Sequence, residues 1–87
     1  MPYAIEYERR AFKALQGIGR PDQPRMLRRI ERLAEDPRPV GAEKLSGLGD
    51  AWRVRQGDFR IVYTIDDPAW IVTITKVGNR RDIYRAP

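Results

Sequence analysis

The hydrophobic period changes twice along the chain, and those changes divide it into elements. Tyr3, Ile5 and Tyr7 alternate with Ala4 and Glu6, which is the period of a half-buried strand. From Glu8 to about Ile18 the apolar residues Ala11, Phe12, Leu15 and Ile18 recur at helical spacing, and Gly17 and Gly19 mark the end. A second helix opens where Asp22 can cap it and holds Pro24 in its first turn. Its apolar stripe is Met26, Leu27, Ile30, Leu33 and Ala34, and Asp36-Pro37 stops it. Residues 37–50, with Pro37, Pro39, Gly41, Gly47 and Gly49, read as a loop.

After the loop the period of two returns for three strands. Trp52 and Val54 alternate with Arg53 and Arg55; Phe59, Ile61, Tyr63 and Ile65 alternate with Arg60, Val62 and Thr64; Trp70, Val72 and Ile74 alternate with Ile71, Thr73 and Thr75. Gly57-Asp58 is a two-residue hairpin turn with glycine first, and Asp66-Asp67-Pro68-Ala69 forms the longer turn that follows. The order is β-α-α-β-β-β in an α+β fold. Residues 1–87 read as a small single domain, with the two N-terminal helices packed on one face of a largely antiparallel sheet.

The hairpin turn sets a register. Gln56 faces Phe59, Arg55 faces Arg60, Val54 faces Ile61, Arg53 faces Val62 and Trp52 faces Tyr63. Trp52, Val54, Ile61, Tyr63, Val72 and Ile74 then form the face that the helices cover. Arg53, Arg55 and Arg60 share the other face, with Thr73 and Thr75 beside them. Arg55 and Arg60 become direct neighbours with Cβ atoms about 4.5–5.5 Å apart, a like-charge pair that an isolated hairpin disfavours. Three guanidinium groups on one open face make a seat for an anion with several oxygens, and phosphate is the obvious candidate.

Composition narrows the chemistry. The 87 residues include 17 Lys+Arg against 12 Asp+Glu, for a formal charge of +5, and the basic residues are 14 Arg and 3 Lys. There is no His and no Cys. That excludes a disulfide framework, a zinc site, a thiol nucleophile and a serine–histidine triad, so any catalysis draws on Arg, Lys, Tyr, Asp or Glu. No apolar run approaches the roughly 20 residues of a membrane span, and Met1-Pro2-Tyr3 begins without a signal-peptide pattern. A cytoplasmic protein with no membrane contact is expected. On the second helix Arg25, Arg28, Arg29 and Arg32 lie off the apolar stripe among Glu31 and Glu35. They are either a solvated face or a contact surface for RNA or an acidic partner, and the sequence does not choose.

The resemblance to a known family rests on several phrases at fixed spacing. Leu45-Ser46-Gly47-Leu48 precedes Trp52-Arg53-Val54-Arg55, followed by GDFRIVY at 57–63 and KVGNRRDIYR at 76–85. With the element order, these resemble the RelE/ParE superfamily of toxins from type II toxin–antitoxin systems, the RelE branch more than the ParE branch. The resemblance implies a ribosome-dependent endonuclease that cuts mRNA codons in the A site without metal or cofactor. In that chemistry the ribose 2′-OH attacks the scissile phosphate.

Carried over by position, the catalytic residues are Arg55, Arg60, Arg80 and Tyr84, while Arg53, Arg81 and Lys44 bind RNA or phosphate. Tyr84 orients the nucleotide. Familiar members have lysines where this chain has Arg53 and Arg55, which leaves the proton acceptor open among Tyr84, Asp58, Asp82 and positioning by the ribosome. The implied partners are a cognate RelB-like antitoxin, the ribosome and its mRNA, with operator DNA reached only through the antitoxin. Two other outcomes stay open: a ParE-type poison of DNA gyrase, and a catalytically weak toxin acting mainly as an antitoxin-bound corepressor.

Overall fold

The computed structural model describes residues 2–47 and 49–79. Its elements are β1 (Ala4–Tyr7), α1 (Arg9–Gln16), α2 (Asp22–Glu35), β2 (Glu43–Lys44), β3 (Ala51–Gln56), β4 (Phe59–Asp66) and β5 (Ile71–Asn79). One five-stranded sheet runs β1-β5-β4-β3-β2, antiparallel except where β1 lies parallel to β5. No helix among the described residues is long and apolar enough to cross a membrane.

The helices bury the apolar stripes that their spacing predicts. Ala11 and Leu15 of α1 and Met26, Ile30 and Leu33 of α2 pack against Val54, Ile61, Tyr63, Val72, Ile74 and Val77. Phe12 and Leu27, at the margins of those stripes, stay exposed, and Phe12 meets Tyr7 edge to face. Asp22 does not cap α2. Pro21 occupies the cap position and Asp22 sits inside the first turn, where a negative charge still favours the helix dipole. The Tyr63 hydroxyl donates to the Pro37 carbonyl at 2.6 Å and so ties the chain leaving α2 to the middle of the sheet. Burial pushes that phenol up to about 12, because ionising it there would leave a charge poorly solvated.

Three departures from the sequence reading matter for the site. The loop 37–50 contains β2, whose Glu43 and Lys44 pair with Arg53 and Trp52 and satisfy backbone groups on an otherwise open edge of β3. Trp70 is not part of the last strand. Strand β4 runs on through Asp66, which pairs with Ile71, so the four-residue turn is 67–70 and Trp70 ends it with φ 58°. Trp70 packs instead against Tyr3, with tilted rings whose centroids are 5.1 Å apart. Relative to a turn at 66–69, the pairing of β5 moves by two residues, which preserves the face of every side chain. Val72 and Ile74 therefore still enter the core.

The third departure is a bulge in β5. Tyr63 pairs with Ile74 but Val62 pairs with Lys76, leaving Thr75 as an extra residue. The irregularity shifts the parity of the strand, so that Val77 rather than residue 76 turns into the core.

Candidate phosphate-binding face

The hairpin register is the predicted one. Gln56 pairs with Phe59, Arg55 with Arg60, Val54 with Ile61, Arg53 with Val62 and Trp52 with Tyr63. Gly57 has φ 60°, as a glycine-first two-residue turn requires. With β2 and β5 added, the face away from the helices carries the row Glu43, Arg53, Val62, Lys76 and, one step along, the row Arg55, Arg60, Gly78.

This face is less open than the sequence suggests. Of its three arginines, Arg55 alone is exposed. The Arg53 side chain keeps 12% of its surface, and its Nη2 donates to Glu43 Oε2 at 2.5 Å. Arg60 is 4% exposed, and its Nη1 donates to the Phe59 carbonyl at 3.3 Å. The physical cause for Arg53 is β2, which sets a carboxylate directly across from it. Leu45, continuing from β2, packs with Ala51 and Val62 as a small second apolar cluster on the same face. The like-charge pair Arg55 and Arg60 is accommodated by asymmetry, with one guanidinium in water and the other held down on the strand.

The remaining assigned residues divide between those the structure places and those it does not. Lys44 lies on β2, exposed, with its pairing partner Trp52 on the helix-facing side, so β2 does not add Lys44 to the rows that hold the arginines. Thr73 pairs with Thr64 on the arginine side, while Thr75 is the bulged residue. Arg80, Arg81, Asp82 and Tyr84 lie outside the described residues. Sequence reasoning missed Lys76, the lysine that the bulge adds to the arginine face. The available signal was the change of apolar parity from Val72 and Ile74 to Val77.

Two other polar regions lie off this face. Arg25, Arg28, Arg29 and Arg32 line a shallow concavity of about 290 Å³ with Gln56, next to the hairpin end. Across the molecule, Arg38 grips Asp67 with both ends of its guanidinium, at 2.8 and 3.2 Å, and the Tyr3 hydroxyl donates to the same carboxylate at 2.6 Å. These hydrogen bonds, Arg38 first, hold the Asp67 carboxyl below its ordinary range. The hydrogen bond to Asp67 raises the Tyr3 phenol. Arg38 also lies over the Trp52 ring, 5.5 Å from its centroid, so this cluster ties β1, the end of α2 and the β4–β5 turn together.

A small α+β domain with two helices on one face of a five-stranded, mostly antiparallel sheet is the fold of solved RelE toxin structures. A model of the ParE toxin of the type II toxin–antitoxin system parDE matches residues 5–84, and the chain belongs to that family within the RelE/ParE superfamily. It is 31% identical to Toxin RelG of Mycobacterium tuberculosis, over 98% of this chain and 99% of that one. It is 28% identical to the mRNA interferase toxin RelE of Escherichia coli, over 92% of this chain and 85% of the relative. Among solved structures it is similar to the RelE of an archaeal RelE–RelB complex from Pyrococcus horikoshii. That likeness has a TM-score of 0.80 and 30% identity, and it covers 99% of this chain and 100% of the other.

Proposed function

We propose that this protein is the toxin of a type II toxin–antitoxin pair and a ribosome-dependent mRNA endonuclease that needs no metal. The observation that carries the reading is the pairing of Arg55 with Arg60 beside Arg53 on the sheet face the helices leave uncovered. In-line attack of a ribose 2′-OH on phosphorus forms the O2′–P bond and breaks the P–O5′ bond, giving a 2′,3′-cyclic phosphate and a 5′-OH. The phosphorane between them carries extra negative charge. Guanidinium donors already fixed in place stabilise that charge without reorganising. Arg60 takes this role with Arg80, Arg53 and Arg55 position the phosphate, and Arg81 and Lys44 bind RNA. Tyr84 stacks on or orients the nucleotide.

The name of the Escherichia coli relative supports the activity, and the solved complex with RelB supports a RelB-like antitoxin as partner. Such an antitoxin neutralises the toxin by covering basic surface, and operator DNA is reached through it. The protein works where mRNA is translated, in the cytoplasm.

The test is cleavage of mRNA on ribosomes with an open A site, comparing wild type with Arg60→Ala and Arg80→Ala. Cleavage within the A-site codon, lost in both variants, is the expected result. The ParE description of the matching family favours a second reading, poisoning of DNA gyrase by protein contact. Early DNA breaks in expressing cells with intact mRNA would establish that reading instead. Intact mRNA and intact DNA at every dose would leave the corepressor role.

A further inference from the structure

The arginine face contains a gap, and beside the gap stands a cation that the assignments above do not use. The gap is at Gly78. This residue pairs with Arg60 across β4 and β5, and a Cβ built on it would meet nothing among the described residues within 4 Å. Gly78 is not among the glycines with left-handed φ, so its backbone does not require glycine. Strand interiors disfavour glycine on grounds of entropy and packing, and its presence commonly marks a place where something else approaches the backbone.

The cation is Lys76. A strand that continued the parity of Val72 and Ile74 would point residue 76 into the core. The bulge at Thr75 turns it to the other face, opposite Val62. Side chains bond the bulge in place: Thr75 Oγ1 donates to the Val62 carbonyl at 3.2 Å, and Arg10 Nε of α1 donates to the Thr75 carbonyl at 3.1 Å. Lys76 is therefore the same-face neighbour of Gly78 along β5 and the diagonal neighbour of Arg60 across the strands. Diagonal Cβ atoms lie roughly 7–8 Å apart, within reach of two long side chains converging on one ligand. Lys76 forms no ion pair among the described residues.

We propose that the space over Gly78 is an anion seat walled by Arg60 and Lys76, in which the Lys76 ammonium holds a phosphate oxygen of the RNA. The proposal rests on RNA being the substrate and adds to that reading a residue and a place. Arg60 offers a planar fork from one side, and Lys76 offers a compact charge on a flexible stem from the other. A phosphate over Gly78 meets both, in space that no side chain of the described residues fills within 4 Å of the position a Cβ would take.

The test uses the same A-site cleavage reaction with Lys76→Met, Lys76→Arg and Gly78→Val, each checked by thermal melting. Lys76→Met is expected to cut about tenfold to a hundredfold more slowly, the loss of one charge-assisted hydrogen bond. Lys76→Arg keeps most of the rate because it keeps the charge. Gly78→Val fills the seat and loses cleavage while melting at or above the wild-type temperature. Should Gly78→Val misfold, the pair of Lys76 variants decides alone.

Wild-type rates in Lys76→Met with cleavage lost in Arg60→Ala would overturn the seat and leave the nuclease reading standing. Lys76→Arg as slow as Lys76→Met would also overturn it, because holding a phosphate depends on charge. A folded wild type that cuts nothing removes both the reading and the seat.

Discussion

The molecule carries two arginine clusters of opposite physical character. On the sheet, Arg53 and Arg60 are largely withdrawn from water, one held by Glu43 and the other by the Phe59 carbonyl. On α2, Arg25, Arg28 and Arg32 are exposed, and neither they nor Arg29 forms an ion pair among the described residues. A fixed guanidinium in a low-dielectric setting has lost its freedom during folding, so it can stabilise a developing charge at little further cost. A mobile one in water is screened within about 10 Å at 0.1 M salt. On the proposed nuclease reading, the sheet cluster suits the cleavage step and the helix cluster suits encounter.

The sharpest way to break that distinction is Arg60→Ala, with an expected loss of about 10²–10³ in single-turnover cleavage. Arg60→Lys should recover little of it, since the ammonium lacks the fork. An α2 variant with an equal loss of rate would erase the contrast.

The scaffold behind the sheet cluster is tested by Tyr63→Phe. Leaving the Pro37 carbonyl unpaired is expected to cost about 1–3 kcal/mol in urea unfolding. The wild type should also show an alkaline signature. The folded-state phenol is raised from 10.0 to about 12, so its contribution is whole below pH 10 and fades as pH climbs through 12. Melting curves across that window should slope less in Tyr63→Phe.

A smaller effect is expected at Glu43, which accepts from Arg53 where, on the proposed reading, a phosphate would bind. Glu43→Gln should raise cleavage at limiting substrate by up to about fivefold, in keeping with the modest worth of an ion pair whose acidic partner is exposed. A decrease would show that Glu43 orients Arg53 more than it competes for it. The smallest effect belongs to Arg28→Ala/Arg32→Ala. Their association rate with ribosomes should fall about two- to threefold at low salt, and the deficit should vanish as salt rises, while the cleavage step of the bound complex stays unchanged.

Which residues share a face was legible in the sequence because strand parity and a two-residue turn are local properties. Gly57-Asp58 alone set five cross-strand pairs, from Gln56 with Phe59 to Trp52 with Tyr63. Even the displaced turn before β5 did no harm, since a shift of two residues leaves every side chain on its own side. The helical stripes were legible for the same reason, and only their margins at Phe12 and Leu27 stayed in water.

Coverage of the face was not legible, because it depends on segments distant in sequence. Glu43 meets Arg53 only after β2 docks on β3, and nothing in the Pro- and Gly-rich stretch 37–50 announces a two-residue strand. The bulge lay in between. The parity change from Ile74 to Val77 was visible, but its consequence, a lysine delivered to the arginine face, required knowing that Val77 had a core to enter. The sequence by itself determined which side chains face together, through periods that short stretches of backbone impose. Only the tertiary structure decided which of the arginines are held and which remain in water, because burial and pairing come from chain brought in across the sheet.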